Sequence, residues 1–382
     1  EMVQAIAGRG DFNMTYWELD EAEALARIPA LVQPFDLSRA PLLRVVLIKV
    51  QEQNYIIFFD MHHIISDRGS IEIVIDNIFR LYQGENMKPL QVQYKDYVAR
   101  LEKQLKDETL PAQEKYWLNR LQGFIFTRLP IDYLKPGDRV KGNAQYHEIG
   151  PGFYHKIDHF CIKHNVTKFI FLITVFQLTL ARKLDQWDIA LGIPSAIRDN
   201  PDLKQVIGVF LNILLIRTAI DYNEPFLNHL SKSKTIVIGA LDNQDYPYEM
   251  LIDKIRADAP ANKNELFSIL FNYITMDTDQ KRTFPGFQIN PLTMPEISPR
   301  YDITVYGHEG VDRINLSLVY KSDIYSEDSI RKLLTDFLET VQRALDDCNM
   351  TITQLTTWDR PDTYDMDKDS EIDMYYNRGE SL

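Results

Sequence analysis

The sequence predicts a mixed α/β or α+β fold in two lobes. Three observations lead there. Segments with strand-like alternation recur between segments of helical period, which implies sheet layered with helix. The strand-like segments lie far apart in the chain, so their pairing is non-local. A stretch with two prolines and two glycines at residues 129–142 interrupts the pattern, which then restarts. At 382 residues and 45% hydrophobic, the chain has enough apolar material for a large core.

The elements follow in order. Residues 18–31 place Leu19, Ala22, Ala24, Leu25, Ile28 and Leu31 near one helical face, with Asp20 as cap or first-turn acid. Pro34 and Pro41 punctuate the next stretch, and residues 42–50 read as a strand. Residues 54–59 (NYIIFF) form a second strand, rich in aromatic and β-branched residues. MHHIISDRGS follows directly, so its polar residues sit at a strand end. Residues 71–82 are a helix, with Ser70 as N-cap and Gly84 just past the end. Helices follow at 92–106 and 111–122, and then the interruption. The second half predicts a strand at 144–149, helices at 153–165 and 167–184, a buried strand at 187–194 and a strand-like run at 206–217. Helices at 225–241 and 248–255, strands at 266–275, 302–308 and 314–320, and a final helix at 326–348 complete it.

Charge and composition exclude several functions. The chain carries 42 Lys+Arg against 55 Asp+Glu, a net −13. Binding to phosphate backbones needs clustered Lys and Arg, so no nucleic acid is expected. The longest uncharged stretches, 169–181 and 206–216, carry Gln177 or Asn212 and fall short of the roughly 20 apolar residues of a membrane span. No membrane partner is expected. Two cysteines, Cys161 and Cys348, point to a reducing, cytoplasmic setting. Residues 1–12 show no signal-peptide pattern, and Glu1 enters mid-element, so a piece of a longer chain is expected. Residues 359–382 hold eight Asp/Glu against three Lys/Arg and read as an acidic linker or tail.

The candidate chemistry lies in His62, His63 and Asp67. A strand end is a rigid platform, and function tends to live on the loops just beyond it. Side chains alternate along a strand, so the two histidines point opposite ways if the strand still runs there. The HHxxxD spacing lacks the one-turn separation of a helical zinc pair, and no metal is expected. No G-x-S-x-G elbow accompanies Ser66. Two readings remain: packing and capping at a strand end, or acid–base chemistry by one histidine near neutral pH.

MHHIISDRGS resembles the HHxxxDG signature of condensation domains of nonribosomal peptide synthetases, in the chloramphenicol-acetyltransferase-like superfamily. Six more segments resemble the same family, in the family's order: PFDLSRAPLLRV, YKDYVARLEKQL, FTRLPIDYLKPG, DIALGIPSAIRDNPDLKQVIGVFLNILLIRT, NQDYPYEMLID and NKNELFSILFNY. Two departures accompany the resemblance. The family's RHExLRTxF-like segment, upstream of the histidines, has no counterpart, so the first lobe is expected to lack its N-terminal part. The glycine after the aspartate is Arg68 here, with Gly69 next. Gly permits backbone approach that Arg does not, and Arg68 adds a charge beside the site.

The resemblance implies a V-shaped pseudo-dimer of two lobes with a tunnel between a donor and an acceptor carrier protein. It implies residues 1–110 as the remainder of the first lobe and 111–358 as crossover and second lobe. The reaction implied is amide formation: an acceptor α-amine attacks a donor thioester. The domain itself needs no cofactor, since the phosphopantetheine arms belong to the carriers. His63 is implied as the active-site residue, with His62, Asp67 and Arg198 as structural support. Asp67 is expected to pair with Arg198, since a buried Asp without a partner is costly. Arg68, Gly69 and Asn212 are candidates for the substrate tunnel, with a satisfied core amide as the other reading of Asn212. Asp245, Tyr246 and Pro247 are expected to shape a turn, and Tyr94 and Tyr248 to pack. Heterocyclisation domains carry aspartates in place of the histidines, and IGVFLNILLIRT resembles the condensation rather than the epimerisation type. Ester formation and a non-catalytic role in recruiting a tailoring enzyme or docking carriers stay open.

Residues 359–382 contribute −5, which leaves −8 for the other 358 residues. Carriers in such systems are often acidic, so net charge opposes docking. Docking on neighbouring modules then needs local basic or apolar patches, and weak salt dependence is expected. The acidic tail is either a linker or a docking element for a partner subunit.

Overall fold

The computed structural model describes residues 4–6, 12–107, 109–133, 141–198, 200–258, 266–275, 286–290, 292 and 299–357. The acidic stretch 359–382, residues 134–140 of the expected crossover and residues 259–265 around the NKNE segment lie outside the described residues. The chain forms two units. One takes Glu1–Lys103 and Arg198–Leu211, the other Gln104–Ile197 and Asn212–Leu382. The division expected at residue 110 left 198–211 in the second lobe, whereas that segment packs with the first unit.

The first unit holds a three-stranded sheet in the order β1 (Thr15–Glu18), β2 (Leu43–Gln51), β3 (Asn54–Met61). β1 runs parallel to β2, and β2 and β3 form an antiparallel hairpin. β1 was not anticipated, because four half-polar residues carry no periodicity to read. Helix α1 (Glu21–Leu31) starts later than predicted because Asp20 caps it, accepting the Glu23 N–H at 2.8 Å. Its buried Ala24 and Ile28 pack on Val46 and Ile48 of β2. Helices α2 (Arg68–Tyr82) and α3 (Tyr94–Gln104) follow. A second apolar cluster joins Tyr97 of α3 to Leu203, Val206 and Phe210 of the 198–211 segment.

The second unit opens with α4 (Thr109–Leu121) and is built on a six-stranded sheet. Its strands are β4 (Gly142–Ile149), β5 (Asp188–Ala196), β6 (Leu211–Ala219), β7 (Ile269–Thr275), β8 (Ile303–Glu309) and β9 (Ile314–Lys321), in the order β4-β9-β8-β7-β5-β6. β7 runs parallel to β5 and β8, while β8, β9 and β4 pair antiparallel. Helix α5 (Pro151–Lys163) leads into α6 (Lys168–Leu184), whose residues 170–181 are all buried. That burial explains the uncharged run there: α6 packs against β5, α7 (Phe226–Asp242) and α9 (Glu327–Asp346), the core of the unit. Among the described residues no single helix is long and apolar enough to cross a membrane. Helices α8 (Tyr248–Asp258) and α10 (Ile352–Leu355) complete the unit. The run 206–217 was predicted as strand throughout, but β6 begins only at Leu211. The backbone of Gly208 and Phe210 is hydrogen-bonded elsewhere, as the site shows.

Candidate functional site

The strand that delivers the histidines extends one residue beyond β3. The His62 N–H donates to Leu42 O at 3.1 Å, and the chain then turns, with Ile65 N–H donating to His62 O at 3.1 Å. His62 is held from three directions. Its ring meets Phe35 edge-on at 5.9 Å, its Nδ1 accepts the Ile64 N–H at 3.0 Å, and its carbonyl also accepts the Ser66 hydroxyl at 3.3 Å. An Nδ1 that accepts has no proton, so the neutral ring carries its proton on Nε2. Ser66, 3% exposed, spends its hydroxyl on that carbonyl. His63, at the next position of the turn, is exposed, and no described residue hydrogen-bonds its ring.

Asp67 then starts α2. It caps the helix, accepting the Ser70 N–H at 2.7 Å, so the predicted cap Ser70 lies inside the first turn. The helix begins three residues earlier than read because the D-x-x-S spacing satisfies the orphan N–H from Asp67. Arg198 reaches the same carboxylate, with Nη2 2.8 Å from Oδ1. Oδ2 accepts the Phe210 N–H at 3.0 Å. Burial alone would raise the Asp67 pKa. The bonds from Arg198, Phe210 and Ser70 outweigh it and hold the carboxyl below its ordinary value.

Arg198 does more than neutralise Asp67. Its Nη1 donates to Leu203 O at 3.1 Å and Val206 O at 2.7 Å, and its guanidinium lies 4.3 Å over the Phe210 ring. Ser70, fully buried, forms a second hub that sequence reading missed. Its Oγ accepts from Arg198 Nη2 at 2.9 Å and from Gly208 N–H at 3.0 Å, and its one proton serves Asp67 Oδ1 or Gly208 O, each at 2.8 Å. Gly208 itself must be glycine: a Cβ there would sit 2.1 Å from Tyr94 Cδ2. Tyr94 adds a hydrogen bond from its hydroxyl to Val209 O at 3.2 Å. The sequence signals for Gly208 were a glycine inside an apolar run and its place in a segment that resembles the family, neither of which shows its contact with Ser70.

The candidate tunnel residues separate. Arg68 is exposed at the first position of α2, with Nε 3.2 Å from Glu72 Oε1 one turn on. Such a surface pair is worth only a few tenths of a kcal/mol, so the guanidinium is free to move. Gly69 backs onto Arg198, where an added Cβ would lie 3.1 Å from Nε. Asn212, in the second unit, belongs to the core. Its Nδ2 donates to Gln244 O at 2.7 Å and Tyr246 O at 2.8 Å, and its Oδ1 accepts from Ile213 N–H at 2.9 Å and Tyr248 N–H at 3.0 Å. All four hydrogen-bonding positions of the amide are used, so none is left for a substrate, which corrects the tunnel assignment. The amide thereby pins the turn that carries Asp245 and Pro247. Tyr246 is tied further: its N–H donates to Gln113 Oε1 at 2.9 Å and its hydroxyl to Glu114 Oε2 at 2.8 Å. Burial, and then Glu114, push that phenol up. Tyr248 packs on Phe267, as its hydroxyl accepts the Leu266 N–H at 3.1 Å.

Among the described residues no group of three His, Cys, Asp or Glu side chains is placed to hold a metal ion. The arrangement is one exposed imidazole on a turn whose flanks are locked by hydrogen bonds on both sides.

The family profile described as "Condensation domain" matches residues 1–366. Bacitracin synthase 1 of Bacillus licheniformis is 30% identical over 357 residues, which cover 93% of this chain and 7% of that protein. Tyrocidine synthase 3 of Brevibacillus parabrevis is 30% identical over 350 residues, 91% of this chain and 5% of that protein. The chain therefore spans a small part of these curated relatives. The condensation domain of the Monacolin K polyketide synthase MokA superposes with a TM-score of 0.75 at 18% identity, covering 90% of this chain and 82% of that one.

Proposed function

The chain belongs to the condensation domain family, and we propose that it joins a carrier-bound donor acyl or peptidyl thioester to the α-amine of a carrier-bound acceptor aminoacyl thioester. The reading rests on His63, an exposed imidazole with no hydrogen bond to the described protein, on a turn held by His62 and Asp67. The neutral amine attacks the thioester carbonyl. A C–N bond forms, the C–S bond breaks, one proton leaves nitrogen, and the thiol of the donor's arm takes one up. An α-amino group has a pKa near 7.7–8.0, so roughly a tenth or more is neutral at pH 7. A strong base is not needed before attack. His63 takes the proton during attack or orients the amine and steadies the tetrahedral intermediate. Holding both thioesters together lowers the entropic barrier. The partners are the two carrier proteins and neighbouring modules of the assembly line. The pantetheine arms are theirs, and the domain needs no cofactor of its own.

The test loads purified carriers of the parent assembly line with donor and acceptor, adds the chain and reads the product by mass. The joined amide is expected, and His63→Ala is expected to slow it about 10²-fold or more. Absence of product from the folded chain with its own carriers overturns the reading. A product mass matching an ester assigns a hydroxyl acceptor instead.

A second reading, recruitment of a tailoring enzyme or carrier docking without bond formation, is favoured by Arg68. Its guanidinium stands at the position where the family has glycine, five residues past the turn histidine. Unchanged output of the assembly line with His63→Ala supports that reading. Faster product formation with Arg68→Gly supports the first.

A further inference from the structure

The chain is acidic overall, at −13, yet one face of the second unit reverses that sign. Helix α5 presents Lys156, His159 and Lys163 to solvent. Among the described residues neither lysine has an ion-pair partner, and the one acid of the helix, Asp158, is already paired with Lys168. Beside them on the helix, next round from His159, stands Ile162, 73% exposed. Just past the end of α5 the chain turns through Asn165 at φ +51°, and Lys234 of α7 donates to its carbonyl at 2.6 Å. A groove of about 200 Å³ opens there between the two elements, with Leu227 and Leu230 in its wall.

A basic strip flanked by one exposed apolar side chain, near a groove, fits an acidic helix that carries an apolar residue of its own. An acidic partner meets repulsion from the chain as a whole, so it needs a local reversal of sign to dock. We propose that this α5–α7 face is the docking surface for an acidic carrier protein, with a carrier helix lying along α5 and an apolar side chain seated against Ile162. The inference rests on the bond-forming reading only for the identity of the partner. Ile162 supplies the desolvated centre and the lysines supply orientation at the rim.

The test titrates each carrier domain of the parent assembly line, pantetheinylated and purified, into the chain by calorimetry. The variants are Ile162→Glu, Lys163→Glu and, as a charge-matched control in the first unit, Lys95→Glu at an exposed position of α3. All three positions are exposed, and circular dichroism with a thermal melt checks folding. The expected result is at least tenfold weaker binding of one carrier to Ile162→Glu and to Lys163→Glu, with Lys95→Glu like wild type. Reversing one acidic residue on the carrier helix to Lys is expected to restore binding to Lys163→Glu. Unchanged binding in both α5 variants, equal weakening by Lys95→Glu, or relief of self-association by Ile162→Glu without any carrier effect overturns the proposal. Running the titration with His63→Ala as well separates docking from chemistry. Carrier binding that persists without product refutes the bond-forming reading alone, and product formed at wild-type rate by Ile162→Glu at sub-saturating carrier refutes the docking surface alone.

Discussion

The hydroxyl of Ser70 lies 3.0 Å from the backbone nitrogen of Gly208 and 2.8 Å from its carbonyl oxygen, across 138 residues of sequence. One small side chain thus takes both polar groups of a glycine out of any strand ladder. Arg198 and Asp67 close the same ring. The turn of His63 is held to the 198–211 segment by this network of buried polar groups, in which both terminal nitrogens of Arg198 are hydrogen-bonded and its Nε is not. Networks of this kind are costly to leave half made.

Ser70→Ala is expected to destabilise the chain by about 2–3 kcal/mol, because Gly208 N–H and an Arg198 N–H lose their acceptor in a buried place. Asp67→Asn is expected to cost more, about 3–5 kcal/mol, since it leaves the Arg198 guanidinium without a counter-charge. Urea denaturation of the two variants measures both. A smaller loss for Asp67→Asn than for Ser70→Ala would show that the charge pair is not the stronger half of the network.

Gly208→Ala is expected to be destabilising by about 1–3 kcal/mol, because its Cβ meets the Tyr94 ring at 2.1 Å. The cost comes from overpacking, so the double variant with Tyr94→Ala should recover part of it. A double-mutant cycle by thermal or urea denaturation gives the coupling. Strict additivity would place the cost in the backbone instead.

Asn212→Asp keeps the shape of the side chain but replaces two donors with an acceptor facing Gln244 O and Tyr246 O. It is expected to destabilise the second unit more than Asn212→Leu, which abandons the bonds without adding a charge. Denaturation midpoints of the pair decide it. The reverse order would mean that the cavity, and not the donors, dominates.

Acid sensitivity is expected from His229. It is fully buried on α7, with Nδ1 2.9 Å from Glu224 Oε1, while Lys232 pairs with the other oxygen of Glu224 at 2.6 Å. Its Nε2 has no hydrogen-bond partner among the described residues, so a proton there would be buried without an acceptor. Burial lowers its pKa from the ordinary 6.5, against the pull of Glu224. A lowered pKa means that the unfolded chain binds the proton more readily. The stabilisation is therefore complete above about pH 6.5 and drains as pH falls through the folded-state value. Melting temperatures measured from pH 7.5 down to 5.5 are expected to fall, and the slope should flatten in His229→Gln. An equal slope in the variant would assign the acid loss to other groups. Asp67, also lowered, acts the same way only below about pH 4.

Much of the fold was legible along the chain. Most predicted strands and helices recur within a few residues, because periodicity and caps such as Asp20, Thr167 and Ser326 are local signals. The misses share one cause. β1 is too short to show a period, and Ser70 was read as a cap because its neighbours could not reveal that Asp67 already held that role. Residues 206–210 read as strand by apolar content, but their backbone partners are Asp67 and Ser70. His62, His63 and Asp67 could be found as a motif, and Tyr94, Gly208 and Phe210 lie in segments that resemble the family, but nothing local to those segments shows that they meet the histidine turn.

What the sequence determined alone was the set of elements, the acidic balance and the histidine turn, since each depends on residues close together in the chain. The pairing of Asp67 with Arg198 was already expected from the resemblance, whereas the choice between tunnel and core for Asn212 was decided only by tertiary structure. Asn212 and Arg198 look alike in sequence, as polar residues at the edges of apolar runs. Asn212 spends all four hydrogen-bonding positions on the backbone around it and the 244–248 turn, while Arg198 spends its guanidinium on Asp67, Ser70 and the carbonyls of 203 and 206. A buried polar group must be satisfied by whatever the fold brings near, and that partner lies beyond the reach of local pattern.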